Sequence, residues 1–159
     1  MDEIKVLSPT AILGYGFPEE SFQRGLEKDP DIIAVDGGST DPGPYYLGAG
    51  VSFTDREAVK RDLRHMIKAG LEKDIPVLVG TAGGAGADAH LDWAIDIVKE
   101  ISSEDNLNIN LASISAEFDK QDVMTKFEDD EIKPLPPVED ISREDLEATD
   151  RIVGQMGVE

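Results

Sequence analysis

Two short, wholly apolar runs constrain the fold of this chain more than any other feature of its sequence. They span residues 32–35 and 76–79, and each leads into a glycine-rich loop followed by a stretch with helical periodicity. A continuous apolar run is typical of a strand buried on both faces, as in a parallel sheet. Because strands and helices alternate along the chain, we expect βαβ units. The sequence predicts an α/β fold, a Rossmann-like three-layer arrangement with a mostly parallel sheet of about four strands.

The predicted elements have recognisable limits. Strands are predicted at residues 5–7, 31–36, 76–80 and 107–114. The last of these alternates apolar and polar residues at period two over its first half, which is typical of a strand. Helices are also predicted after the second glycine-rich loop and over residues 122–130. Capping signals mark the starts of the three other predicted helices: Pro18, a capping box of Thr54 and Glu57, and a second capping box of Ser142 and Asp145.

The chain divides into three predicted parts. An α/β ligand-binding domain covers residues 1–131, a proline-rich linker covers 132–141, and a C-terminal helix covers 142–159. An α/β pattern would lead from that helix into another strand, and doubly wound sheets commonly have about five or six strands. We therefore expect a truncated fold, whose helix leads toward a continuation that this chain lacks.

Charge and composition exclude several classes of protein. The 15 basic and 34 acidic residues give a net charge of −19, which argues against binding to duplex nucleic acid or to an anionic membrane. The chain has no Cys, which excludes disulfides and thiolate chemistry. No apolar run reaches the roughly 18–20 residues of a membrane span, and no signal peptide is recognised. We expect a cytoplasmic protein, either of a salt-rich cytosol or simply acidic.

The first candidate site follows the second predicted strand, where open α/β sheets bind ligands. This loop begins with six residues that carry suitable chemistry: Asp36, Gly37, Gly38, Ser39, Thr40 and Asp41. Asp36 and Asp41 can hold a divalent metal through hard oxygens, or one of them can transfer a proton. The alternative is a turn in which Asp36 caps neighbouring backbone amides.

Two further loops share this edge of the predicted sheet. The loop after the third strand carries five residues suited to an anion: Gly80, Thr81, Gly83, Gly84 and Gly86. Backbone N–H groups there, with the following helix N-terminus, favour a phosphate or a carboxylate. The alternative is a tight turn that permits close packing. Ser8 and Thr10, after the first strand, either contact the same ligand or belong to an ordinary loop.

His90 and Glu117 complete the set of candidate catalytic residues. His90 lies in the first turn of the helix after the second glycine loop, and is either a general acid–base or a solvent-facing side chain. Glu117 follows the predicted fourth strand, and either joins Asp36 at the carboxyl edge of the sheet or supplies negative charge at the start of the next helix.

Several of these segments together carry a family resemblance, namely residues 6–10, 14–17, 36–48, 80–86 and 151–157. With them the chain resembles the N-terminal region of the acyclic terpene utilisation protein A family. The resemblance implies catabolism of acyclic monoterpenoids through acyl-CoA intermediates, in proteins that run considerably further. It supplies no catalytic residues, so the site assignments depend on position and chemistry.

Two functions of different classes remain open at this point. The first is an enzyme, or the N-terminal part of one, that hydrates or eliminates from a carboxylate or a CoA thioester, with Asp36 or Asp41 moving the proton. Its substrate is a small anionic molecule, and a divalent metal is the only cofactor considered. The second is a non-catalytic subunit or docking domain, in a homo-oligomer or with a partner subunit that supplies the missing C-terminal part.

Overall fold

A three-stranded parallel sheet organises the fold. The structure is a computed structural model that describes residues 3–38 and 43–154. Strands β1 (Val6–Leu7), β2 (Ile32–Asp36) and β3 (Val77–Gly80) lie in the order β1-β2-β3. The register places Leu7 opposite Ile33, and Ile33 opposite Val77. The α/β class and the parallel sheet are confirmed. As parallel pairing requires, each strand is joined to the next by a crossover connection, and both connections contain a helix.

The described residues contain six α-helices. They are α1 (Glu19–Leu26), α2 (Tyr45–Ala49), α3 (Arg56–Lys73), α4 (Asp88–Asp105), α5 (Lys120–Glu128) and α6 (Arg143–Ala148). Pro18 precedes α1, and the capping box of Ser142 and Asp145 is present at α6. The capping box predicted at Thr54 is wrong. Asp55 caps α3 instead, since its carboxylate accepts the Ala58 N–H at 2.9 Å.

The C-terminal helix is shorter than predicted. It ends at Ala148, whereas the sequence predicted a helix over residues 142–159. Beyond it, Val153 pairs with Glu117 in an antiparallel bridge, and the Phe118 N–H donates to the Ile152 carbonyl at 2.8 Å. This pairing satisfies backbone groups outside any helix. Residues 132–141 form no helix or strand, and residues 155–159 lie outside the described part of the chain.

The core lies on one face of the sheet. Ile33 is fully buried and Val35 is nearly so, and both belong to one apolar cluster with side chains of α1, α3 and α4. Strands that follow one another in sequence order, joined by right-handed crossovers, place successive helices on the same face. On the opposite face, Val6 is 59% exposed and Leu78 is 54% exposed. The described residues therefore form two layers rather than the predicted three.

The predicted fourth strand, residues 107–114, is not confirmed, because the described sheet has three strands. The segment pairs with no strand in the described residues, and β3 is consequently an edge strand. Its path begins at α4, where Ser102 accepts the Leu107 N–H at 2.9 Å and its hydroxyl donates to the Leu107 carbonyl at 2.7 Å. From there it runs beside β3, with apolar cavities between them.

An ionic ladder joins α3 to α4. Basic side chains of α3 at four-residue intervals, namely Arg56, Lys60, Arg64 and Lys68, contact Glu100, Glu104 and Asp105 of α4. Arg56 donates to both Glu100 oxygens, at 2.6 and 2.9 Å, and Lys60 donates to Glu100 at 2.9 Å. Hydrogen bonds from Arg56, and then from Lys60, lower the pKa of Glu100 to about 2. The ladder links the two longest helices.

The ladder predicts a specific loss of stability in acid. A carboxyl whose folded pKa is depressed contributes stability above its unfolded pKa, and loses it as the pH falls toward its folded pKa. The stability difference between the unmodified protein and Glu100→Gln should therefore shrink as the pH falls from 5 toward 2. Urea unfolding of both proteins across this range measures it. Because acid affects both proteins through their large net charge, −19 in the unmodified chain, the comparison removes this general effect. A stability difference that stays constant over this pH range would contradict the prediction.

Candidate functional site

The loops that follow β2 and β3 are in direct contact. The Gly37 N–H donates to the Gly80 carbonyl at 2.7 Å, which extends the sheet by one hydrogen bond. Gly38 lies so close to Gly84 that a Cβ on Gly38 would be 2.1 Å from the Gly84 carbonyl oxygen. The structure thus brings together two of the three loops singled out in the sequence, at the carboxyl edge of the sheet.

Asp36 adopts the turn geometry that was the alternative to catalysis. Its Oδ1 accepts the Gly38 N–H at 3.0 Å, so the carboxylate closes a turn around Gly37. The residue is exposed and lies opposite Gly80 in the register, one strand from the second loop. Its carboxylate is accessible to a ligand as well as structural. Ser39, Thr40 and Asp41 lie outside the described residues.

The loop from Gly80 to Gly86 is a compact turn in which some backbone N–H groups donate to carbonyls of the same loop. Thr81 has a left-handed backbone with a φ of 46°, and its carbonyl accepts the Gly84 N–H at 3.0 Å. The Gly86 N–H donates to the Ala82 carbonyl at 3.2 Å. Gly83 and Gly84 are buried against neighbouring backbone. Two of the amides proposed for an anion are therefore bonded within the turn.

A carboxylate of the chain itself caps the N-terminus of α4. Glu117 accepts the Asp88 N–H at 2.8 Å, and the Ser115 hydroxyl donates to the Asp88 side chain at 2.5 Å. Glu117 is thus at the carboxyl edge, as one interpretation of the sequence had it, but it serves α4 rather than the helix that follows it. Negative charge near a helix N-terminus is stabilising. An anionic ligand at this point would have to displace Glu117.

His90 is neither solvent-facing nor placed to receive a substrate proton. The side chain is 1% exposed, and its Nε2 lies 3.1 Å from the Tyr46 carbonyl and 3.2 Å from the Val51 carbonyl. Because both partners only accept, Nε2 carries the proton and donates. Nδ1 is buried without a hydrogen-bond partner in the described residues. Through these hydrogen bonds His90 links the segment around α2 to α4. No contact of its side chain supports the predicted catalytic role.

The hydroxyls after β1 bond within their own loop. Ser8 donates to the Thr10 carbonyl at 3.2 Å, and Thr10 donates to the Ile12 carbonyl at 3.3 Å. These contacts match the ordinary-loop interpretation. No described hydrogen bond joins either hydroxyl to the glycine turn after β3.

An apolar cavity that the sequence did not reveal opens at the glycine turn. It has a volume of about 420 Å³ and lies between β3, α4 and residues 111–114. Leu91, Ala94, Ile95 and Val98 of α4 form one wall. Thr81 and Gly86 lie at the end toward the turn. The cavity therefore joins an apolar interior to the carboxyl edge of the sheet.

Neither a metal centre nor a membrane span is found in the part of the chain that the structure describes. Within residues 3–38 and 43–154, no three His, Asp or Glu side chains come close enough together to hold a metal ion. Among the same residues, no helix is both long and apolar enough to cross a bilayer. The divalent metal considered from the sequence has no identified ligand set.

Comparisons with known proteins neither support nor contradict the family resemblance. No protein-family model, no curated protein and no solved structure matches this chain.

Proposed function

We propose that this chain is the N-terminal, ligand-binding part of a catabolic enzyme that acts on a carboxylate or an acyl-CoA metabolite by hydration or elimination. One observation carries the proposal: the apolar cavity beside β3 opens at the glycine turn from Gly80 to Gly86. Ligands of open α/β sheets bind beyond the carboxyl ends of the strands. A ligand with an apolar chain and a polar head fits this combination.

The proposed ligand lies with its apolar chain against α4 and its polar head at the turn. The wall is built from aliphatic side chains, so burial of the ligand's hydrocarbon supplies affinity at roughly 25 cal/mol per Å². Asp36 lies one strand away, opposite Gly80, and is the carboxylate proposed to move a proton. The resemblance to the acyclic terpene utilisation protein A family is consistent with such a substrate.

Filling the cavity should abolish ligand binding while the protein stays folded. Ala94 is 9% exposed and lines the cavity, so the longer side chain of Ala94→Leu would occupy the ligand's place. In concentrated KCl, a bound CoA thioester or linear carboxylate at about 100 times its dissociation constant should add about 2.7 kcal/mol, a shift of several degrees in Tm. Thermal unfolding with and without each compound measures this shift.

The control is Ala89→Leu, at an exposed alanine in the first turn of α4 that does not line the cavity. It should keep the ligand-induced shift that Ala94→Leu loses. Equal shifts in both variants would place the ligand elsewhere. The absence of a shift with every compound would remove the cavity as a binding site.

A non-catalytic docking domain is the second candidate, and the uncovered sheet favours it. Val6 and Leu78 are more than half exposed on the face opposite the helices, and β3 is an edge strand. Exposed edges favour pairing with another chain. In this case a partner would complete the sheet and supply the third layer. Size-exclusion chromatography would show a stable homo-oligomer or complex, with no thermal shift from any small ligand.

A further inference from the structure

The outer edge of β3 has unpaired backbone groups. The Pro76 carbonyl accepts the Ile33 N–H at 3.0 Å, and the Gly80 carbonyl accepts the Gly37 N–H, just after β2, at 2.7 Å. Because hydrogen-bonding direction alternates along a strand, Val77 and Val79 direct their N–H and C=O groups to the other edge. In the described residues no strand pairs with that edge. Unpaired backbone groups of this kind favour pairing with an additional strand.

Residues 108–114, which we call the strap, run parallel to this edge. One cavity, of about 420 Å³, is lined on the β3 side by residues 74–77 and Val79, and on the other side by the first half of the strap, 108–111. The other is lined by residues 77–82 and by the second half, 111–114. The start of the strap therefore lies beside the start of β3, and its end lies beside the end of β3. This is the direction that a right-handed crossover through α4 gives.

Hydrogen bonds hold the strap near its two ends and not between them. At its start, Leu107 is bonded to Ser102, and just beyond its end Ser115 and Glu117 are bonded to Asp88. Between these points, no backbone hydrogen bond is formed by residues 108–114 of the described chain. Ile109 packs against the core, as Val77 and Val79 do, and the three side chains line the same cavity.

We propose that the strap is a two-state element that closes onto β3 as a fourth parallel strand and stands open when an apolar ligand fills the space between them. The shared inward face sets the register, with Ile109 beside Val77 and Leu111 beside Val79. Closure satisfies the free groups of Val77 and Val79 and removes the cavities. A ligand that needs the cavity binds only the open state, so it shifts the population toward that state.

The closed state can be trapped by a disulfide, since the chain contains no native Cys. In the closed register Leu78 lies beside Asn110, both of them exposed in the open structure. Neighbouring strands are about 4.8 Å apart, within the Cα separation of roughly 4.4–6.8 Å that a disulfide accepts. Under mild oxidation, Leu78→Cys/Asn110→Cys should cross-link at least tenfold faster than the control Leu78→Cys/Ser103→Cys, whose second Cys lies on α4. Equal rates would overturn closure.

Hydrogen exchange tests closure in the unmodified chain. The Val77 and Val79 amides should exchange at least tenfold more slowly than unstructured amides, because the closed strap protects them. Exchange of both at the unstructured rate would overturn the proposal, whatever the folding of the Cys variants.

The effect of a ligand rests on the proposed function, and octanoate is the probe for it. A concentration of octanoate that raises Tm should slow cross-linking of the Leu78→Cys/Asn110→Cys variant about tenfold. Fast cross-linking that octanoate leaves unchanged, with no octanoate shift in Tm, would overturn the ligand site and leave closure supported. A shift in Tm without cross-linking would overturn closure and leave the ligand site supported.

Discussion

Gly38→Ala should destabilise the protein by about 3 kcal/mol, the upper part of the range for overpacking. The added Cβ would be 2.1 Å from the Gly84 carbonyl oxygen and 2.5 Å from its carbon. Both atoms belong to backbone, so no side-chain rotation relieves the overlap, and the loops after β2 and β3 must separate. For a chain of this length the loss corresponds to a fall in Tm of roughly 6–12 °C. Thermal and urea unfolding measure both quantities.

Gly48→Ala is the matched control for this substitution. Gly48 lies within α2, where a Cβ would meet nothing within 4 Å. Alanine in a helix is favoured over glycine by roughly 0.5–1 kcal/mol, so this variant should be neutral or slightly more stable. If Gly38→Ala were as stable as Gly48→Ala, the close contact between the two loops would be refuted.

Local sequence was sufficient to predict the three strands of the described sheet and the edge at which their loops lie. The apolar runs at β2 and β3 are short, and glycine-rich loops follow them, so a buried parallel strand was the simplest interpretation. Parallel strands end at one edge, which predicts that the loops after β2 and β3 share that edge, although the contact between Gly38 and Gly84 is known only from the structure. The same reasoning gave the α/β class, because it depends only on the order of the elements.

Residues 107–114 show what periodicity leaves out. Alternation reports that a segment is extended and half-buried, and Ile109 does pack against the core. It does not report whether the neighbouring edge is within hydrogen-bonding distance, which depends on how α4 sits on α3. The ionic ladder and the apolar side chains of both helices decide that placement, and neither is local to the segment.

The burial of His90 could not be predicted from the sequence for a similar reason. A polar residue in the first turn of a helix is usually exposed or functional, and the nearby sequence offers no other interpretation. Its burial follows from Tyr46 and Val51, which lie 44 and 39 residues earlier in the chain and present carbonyls to it. Long-range partners of this kind cannot be read from local spacing.

The charges around the cavity constrain what it can bind. Glu117 caps the N-terminus of α4 beside Asp88, and both acids closely follow the cavity-lining residues Gly86 and Ala116 in the chain, so the surroundings of this end are acidic. An anionic head gains little there unless it displaces Glu117. Affinity must therefore come mainly from the apolar chain of the ligand, which makes ligand length a stronger determinant of binding than head-group charge.

Asp62→Ala should destabilise the protein by about 3 kcal/mol, from the loss of two hydrogen bonds to a charged group at roughly 1.5 kcal/mol or more each. Asp62 is 1% exposed on α3. Its Oδ2 accepts the N–H groups of Gly14 and Gly16, both at 2.9 Å, and its Oδ1 accepts from Arg61 at 2.8 and 2.9 Å. The sequence does not distinguish Asp62 from the other acids of this helix, because its glycine partners lie 46 and 48 residues away.

Urea unfolding compares Asp62→Ala with Glu72→Ala, which removes an exposed acid of the same helix and should cost less than about 0.5 kcal/mol. Equal losses would mean that the loop after β1 is held by its own turn rather than by Asp62.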